Sequence, residues 1–163
     1  MGQKGTLTRI WGVRGSRPRM KRDQRHTNAY IFGAVCPARD TGAAVVMPYA
    51  DTTAMNKHLE TIGYSVTQGA HAAVILDGAG WHIADELRVP DNITFVKLPP
   101  YSPELNAQEN VWQYLRQNWL AGLVFDTYEQ IREKYCDVWN AFIAEAGRIK
   151  SIAQRRWAVW KPS

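Results

Sequence analysis

The sequence predicts an α/β fold, a mixed β-sheet flanked by helices, in one domain over residues 1–163. The first two apolar, β-rich segments, 29–35 and 43–49, are joined by the turn CPARDTG, which is typical of an antiparallel hairpin. The next two, 72–77 and 93–99, alternate with helical patterns, as strands of α/β proteins do. A chain of this length is large enough to bury one core.

A first helix is predicted directly after the hairpin. Asp51 or Thr52 can cap its N-terminus. Met55, Leu59 and Ile62 then recur at i, i+4 and i+7, the spacing that places apolar side chains on one helix face.

Two longer helices are predicted near the end of the chain, over about 106–119 and about 127–145. Gly147 is expected to stop the second of them. Two minor elements are a strand candidate at 6–11 (TLTRIW) and a helical turn within 84–90. The apolar face of the last helix is formed by Ile131, Tyr135, Val138 and Phe142.

The charge of the chain is concentrated at its two ends, although the net charge is only +5. Residues 1–26 carry eight Lys or Arg and one acid, residues 146–163 carry five and no acid, and the middle carries seven against fourteen acids. Basic ends are typical of phosphate contacts, and solvated basic tails are also common. The DNA-contact candidates are Arg14, Arg17, Arg19, Lys21, Arg22, Arg25, Arg148, Lys150, Arg155 and Arg156.

Other sequence features exclude whole classes of protein. No apolar run approaches the roughly 20 residues of a membrane span, and the N-terminus lacks the apolar segment of a secretion signal. Cys36 and Cys136 lie far apart, in no metal-like or redox-like spacing. We therefore expect free thiols in a reducing cytoplasm, no membrane partner and no small-molecule cofactor.

Asp77 ends the apolar segment in VILDGAGWH (74–82). Because Asp-Gly is a common turn signal, the aspartate has an ordinary structural explanation. The alternative is that the end of a buried strand holds a charged group for chemistry, since functional groups of such sheets gather at strand ends.

Glu109 is the candidate partner of Asp77. With Asn106 as N-cap it falls at N3, where a glutamate completes a capping box, and that structural role alone would explain it. If Trp112 and Leu115 pack on the sheet, however, Glu109 lies at the rim of the contact, facing the strand ends. Two carboxylates there suit Mg²⁺, and two ions about 4 Å apart support phosphodiester cleavage.

The chain resembles the catalytic core of bacterial insertion-sequence transposases of the mariner-like group, in VILDGAGWH, ITFVKLPPYSPELNAQENVW and YLRQNWL. These are DDE-type enzymes with an RNase H-like fold. The similarity covers nearly the whole chain, through GTLTRIW, YIFGAVCP, ADTTAMNKHL and GRIKSIA. It implies that Asp77 and Glu109 are the second and third acids of a catalytic triad that binds Mg²⁺ or Mn²⁺. The implied partners are DNA, as transposon ends and target, and a second copy of the chain, at the bacterial nucleoid.

The same resemblance implies that part of the family pattern is missing. The first catalytic Asp would precede the segment that matches residues 2–5, so its strand, the first and central one of the sheet, is expected to be absent. A helix-turn-helix region for recognising transposon ends is also expected to be absent. Asp23, Asp40 and Asp51 are poor substitutes, because they fall in a basic loop, a hairpin turn and a helix cap.

The sequence leaves two functions open. One is a DDE catalytic domain that cuts and joins DNA, expected to be inactive as this fragment; whether the chain alone is an enzyme is therefore undecided. The other is a non-catalytic remnant that binds DNA or dimerises. A housekeeping nuclease of the same fold is disfavoured by PPYSPELN. His82 is an accessory candidate, although a polar loop contact is the commoner role for such a residue. Trp112, Trp119 and Trp139 are expected in the core, and Trp157 and Trp160 are candidates for stacking on bases.

Overall fold

The computed structural model describes residues 14, 28–77, 86–100, 102, 105–121 and 123–158, and the structural statements that follow concern these residues. The elements in chain order are β1 (Tyr30–Cys36), β2 (Thr41–Met47), α1 (Thr52–Ser65), β3 (Ala72–Leu76), β4 (Ile93–Lys97), α2 (Ala107–Leu115), α3 (Tyr128–Ala144) and α4 (Arg148–Ala153). One π-helical turn (Arg116–Leu120) prolongs α2, and a 3-10 turn (Arg156–Ala158) follows α4.

The strands form two separate pairs. β1 pairs antiparallel with β2, with Tyr30 opposite Met47, and this confirms the predicted hairpin. β3 pairs parallel with β4, with Leu76 opposite Lys97. The mixed α/β architecture is therefore present, but the single continuous sheet is not, because within the described residues no ladder of hydrogen bonds joins β1 to β3.

Helix α1 spans both strand pairs on one side. Asp51 is its N-cap and accepts a hydrogen bond from the Ala54 N–H at 2.8 Å, as one of the two predicted caps. The predicted apolar face is buried and forms the smaller core of the molecule. That core is composed of Met55, Leu59, Ile62 and Ile93, with Phe32, Ala34, Ala43, Val66, Ala72, Val74, Leu87 and Phe95 packed against it.

The larger core lies on the other face of the hairpin. Helices α2, α3 and α4 bury side chains there against Ile31 of β1. A Cβ at Gly33 would lie 2.7 Å from the Trp139 ring and 2.8 Å from the Trp112 ring, so only glycine fits between this strand and the two indoles. The buried members are Ala29, Ile31, Val111, Leu115, Ile131, Tyr135, Val138, Trp139, Phe142, Ile149 and Ala153.

The parallel pair is covered on one face only. Its alternate residues face α1, and the remaining ones face away from it. On that second face Ile75 is 39% exposed and Val96 is 42% exposed. The hairpin is thus packed between helices, whereas β3 and β4 leave an apolar face open in the described part of the chain.

The C-terminal region contains a helix that the sequence did not predict. Helix α3 ends at Ala144, close to the predicted end, and Gly147 follows in a left-handed conformation with φ 76°. The chain then forms α4 rather than a tail. Asp40 in the hairpin turn accepts hydrogen bonds from the Gly147 N–H and, at 3.1 Å, from the Lys150 N–H. This pair of bonds, the Asp40 clasp, ties the hairpin turn to the start of α4.

Several smaller expectations have mixed outcomes. Of the segment 84–90, residues 86–90 are described, with a turn at Glu86 and irregular backbone after it, and the start of the predicted helical turn lies outside the described residues. The strand candidate at 6–11 lies outside the described residues. Trp139 is buried and Trp112 and Trp119 pack against the larger core, as predicted. No helix in the described chain has the length and apolarity that crossing a membrane requires.

Candidate active site

Asp77 directly follows the last residue of β3 at the carboxyl end of the parallel pair. The ladder reaches the residue directly before it, where the Leu98 N–H donates to the Leu76 carbonyl at 2.9 Å. Since side chains alternate along a strand, Asp77 follows the face of Ala73 and Ile75, away from α1. The Asp77 side chain is exposed there. The backbone of the aspartate is thereby held by a paired strand end.

Lys97 is a charged residue at the same strand end that the sequence did not single out. Its place in the strand puts it on the face of Ile93 and Phe95, toward α1 and opposite to Asp77. It is the last residue of β4 and lies opposite Leu76, one position before Asp77. Its side chain is exposed. The parallel register decides this placement, and register between strands 21 positions apart cannot be read from a local pattern.

Glu109 lies in the first turn of α2, but it does not complete a capping box. The Asn106 side chain accepts from the Gln108 N–H at 3.0 Å, and the Glu109 N–H donates to the Asn106 carbonyl at 3.2 Å. No hydrogen bond from the Asn106 N–H to the Glu109 carboxylate is formed. Asn106 therefore caps the helix, but Glu109 does not take part in the cap, and its side chain is exposed.

The packing of α2 decides on which side Glu109 lies. Val111 and Leu115 are buried in the larger core, and the Trp112 ring contacts β1 at Gly33. Helix α2 therefore covers the face of the hairpin opposite α1. Asp77 also follows the face away from α1, so the two acids are on the same side of the strand layer.

The other candidate acids of the described chain have structural roles. Asp40 holds α4 through the Asp40 clasp, and the hydrogen bonds from Gly147 and then Lys150 lower the pKa of its carboxyl group. Asp51 caps α1. Among the described residues no group of three or more His, Cys, Asp or Glu could hold a metal ion. Asp77 and Glu109 remain the two carboxylates that the sequence predicts for this site.

The C-terminal basic candidates divide into engaged and exposed residues. Arg148 pairs with Glu145 at 2.5 Å and lies over the Tyr114 ring, and the hydrogen bond that Arg148 donates to Glu145 raises the pKa of Arg148. Arg155 donates to the carbonyls of Ile152 and Gln154. Lys150 and Arg156 are exposed, as is Arg14. The other predicted sites, Arg17, Arg19, Lys21, Arg22, Arg25 and His82, lie outside the described residues.

Gln108 is a neighbour of Glu109 that the sequence did not identify. Its Nε2 atom is buried and has no hydrogen-bond partner among the described residues. Buried amide donors are nearly always paired, so this nitrogen marks a place where an acceptor is missing. A glutamine in a helix carries no sequence signal that would have indicated it.

Comparison with known proteins identifies the family of the chain. A family model described as a DDE superfamily endonuclease matches residues 1–132. The uncharacterized protein y4pE/y4sA of Sinorhizobium fredii (strain NBRC 101917 / NGR234) is 55% identical over 130 residues, which are 80% of this chain and 96% of that protein. No solved structure matches the chain.

Proposed function

The chain belongs to the DDE superfamily endonucleases, and from this premise we propose that it is the catalytic part of a DNA transposase. Its reaction is the cleavage of a DNA strand and the joining of the freed end to a target strand, with Mg²⁺ or Mn²⁺. The substrates are transposon ends and target DNA, and the acting form is a dimer.

The observation that carries the proposal is the placement of Asp77 and Glu109 on the same side of the strand layer. Asp77 is mounted on a paired strand end and Glu109 on a helix fixed by Val111 and Leu115. Both side chains are exposed, and Glu109 forms no capping bond to the Asn106 N–H.

The residues present fit a hard divalent cation. Carboxylate oxygens are the ligands that Mg²⁺ prefers, and the ion keeps several positions for water and phosphate. When bound, such ions activate the attacking oxygen and stabilise the leaving oxygen of a phosphodiester. In this chain Asp77 and Glu109 would hold the ion.

The division of the strands supports the finer part of the proposal, an RNase H-like sheet with one strand still to be added. β1 and β3 both pack on α1 but are not paired with each other. Unpaired strand edges invite another strand. We assign the space between them to a strand from outside the described residues that carries the first acid.

A non-catalytic remnant is the competing function. This function is favoured because Asp40 and Asp51 have structural roles and therefore do not replace the first acid of the triad. Of the described candidate acids, only Asp77 and Glu109 are then left to bind a metal. On this view, the chain keeps its basic ends and binds DNA without cutting it. The two functions differ in whether the third acid ever reaches Asp77 and Glu109.

Metal titration tests the site itself. We expect weak Mn²⁺ binding, followed by calorimetry or electron paramagnetic resonance, to be lost in both Asp77→Asn and Glu109→Gln. Glu133→Gln is the matched control, because Glu133 is an exposed glutamate on α3. Loss in one variant only would show that the two acids do not share an ion and would refute the site.

A strand-transfer assay tests the added strand. Residues 1–163 alone are expected to be inactive, and a chain extended upstream by an Asp-bearing strand is expected to gain activity. The gain should disappear when that Asp is replaced by Asn. Strong metal-dependent strand transfer by residues 1–163 would contradict the proposal, because the third acid would then lie within them.

A further inference from the structure

Trp157 is a large aromatic residue that the cores do not use. It lies in the 3-10 turn after α4 and is 48% exposed, whereas Trp112 and Trp139 pack together in the larger core. Tryptophan is strongly enriched at the centres of binding surfaces because its ring supplies a large contact area at small entropic cost. The half-exposed indole at the end of the described chain is therefore a candidate contact residue.

The charge around Trp157 indicates the chemistry of that partner. Residues 146–163 contain five Lys or Arg and no acid. Arg155 is partly buried and donates to the last carbonyls of α4 at 3.1 and 3.3 Å, so it serves the helix end. Arg156, beside Trp157, is exposed to solvent. One positive charge next to one aromatic ring is the combination that binds a phosphate and an unpaired base.

The position of this turn relates it to the candidate active site. The Asn110 side chain donates to the Ile152 carbonyl at 3.3 Å, which joins the end of α4 to the first turn of α2. Glu109 is the residue before Asn110. The Asp40 clasp fixes the other end of α4. The turn with Arg156 and Trp157 thus directly follows α4, a helix that is fixed at both ends. It lies beside the first turn of α2, which carries Glu109.

We propose that Arg156 and Trp157 form a contact for single-stranded DNA next to the candidate active site, with the indole stacked on an unpaired base and the guanidinium on a phosphate. The face of a base is covered in a duplex and is accessible only in a single strand. The contact therefore binds the strand freed beside the cleavage point, and it rests on the proposed function. It lies outside residues 1–132, which the family model matches.

Binding of the full chain to a labelled oligothymidylate and to the matching oligo(dA)·oligo(dT) duplex tests this contact. Trp157→Ala should weaken binding of the single strand by roughly 5- to 150-fold, the loss of one base stack, and leave duplex binding unchanged. Trp157→Phe should restore most of the affinity. Arg156→Ala should lower the slope of log K against log[salt] by about 0.7 for the single strand. Tyr64→Ala is the control, because Tyr64 is 82% exposed on α1, on the opposite side.

The outcomes separate this contact from the proposed function. Single-strand binding that is unchanged in Trp157→Ala, or an equal loss on both probes, would refute the contact and leave the function standing. A wild-type chain that binds neither probe would refute both. A shift in oligomeric state in Trp157→Ala, with DNA affinity unchanged, would assign the ring to a second copy and refute the contact. The unfolding temperature of each variant is compared with that of the wild-type chain. We expect it to be unchanged, because Trp157 is half exposed and lies outside both cores.

Discussion

The two strand pairs of this protein are packed to very different degrees. The hairpin has α1 on one face and α2, α3 and α4 on the other, and Gly33 is required so that two indoles can approach its backbone. The parallel pair has α1 on one face, and Ile75 and Val96 remain partly exposed on the other. The hairpin half thus holds most of the buried side chains of the described chain, whereas the parallel half holds Asp77.

This difference suggests that stability and chemistry are divided between the halves. A well-packed hairpin half provides a rigid support for α2 and hence for Glu109. Among the described residues, the parallel half has an open face and no strand paired to the free edge of β3. Under the proposed function, the open half is where the added strand and the DNA meet Asp77.

The largest expected effect is the loss of the hairpin-half core. Phe142 is fully buried and contacts the rings of Trp139 and Tyr114, so Phe142→Ala should lower the free energy of unfolding by about 3–5 kcal/mol. Ile75→Ala, at a side chain that is 39% exposed, should cost about 1 kcal/mol. Urea unfolding measures both. Equal costs in the two variants would show that the halves are packed alike.

An intermediate effect is expected at alkaline pH, again in the hairpin half. Burial raises the pKa of Tyr135 to about 12, whereas an unfolded tyrosine has a pKa near 10. Between these values the unfolded chain loses the phenolic proton and the folded chain keeps it. Stability is therefore complete below about pH 10 and declines by about 2–3 kcal/mol toward pH 12.

Replacement by phenylalanine isolates this effect. Tyr135→Phe should flatten the alkaline decline in the free energy of unfolding, while Tyr64→Phe, at an exposed tyrosine, should leave it unchanged. Chemical denaturation at a series of pH values makes the comparison. An alkaline decline of the same size in Tyr135→Phe would place its origin in another group.

The smallest effect on stability is expected on the open face of the parallel pair. The double replacement Ile75→Thr and Val96→Thr keeps β-branched side chains and should change the free energy of unfolding by less than about 1 kcal/mol. It should nevertheless reduce aggregation and binding of a hydrophobic dye, because exposed apolar patches and unpaired edges promote association. A strongly destabilised double variant would show that this face is covered in solution.

The parts of the fold that follow local patterns could be predicted from the sequence. The period of 3.6 identified α3 and its buried face, and Asp51 was recognised as a cap from its place before an apolar repeat. The parts that depend on distant contacts could not. Six residues of α4 are too few for a periodic signal, and the helix is fixed by Asp40, more than a hundred positions earlier.

The candidate site shows the same limit. Asp77 was recognisable as the end of an apolar strand, and Glu109 as a first-turn acid of a helix. Their common side of the strand layer depends on how α1 and α2 pack, which no local pattern contains. The missing capping bond of Glu109 and the unpaired Gln108 amide are details of side-chain geometry. Such details appear only when the coordinates of the surrounding elements are known.

The Asp40 clasp has a consequence for how the protein is made. One of its bonds spans 107 positions of the sequence and the other spans 110, so the hairpin is synthesised long before α4. Until α3 and α4 leave the ribosome, the inner face of the hairpin around Ile31 and Gly33 has no cover from them. Residues 1–132, where the family match ends, lack Tyr135, Trp139, Phe142 and Ile149 of the larger core. The larger core is therefore completed only by residues that are translated after the segment matched by the family model.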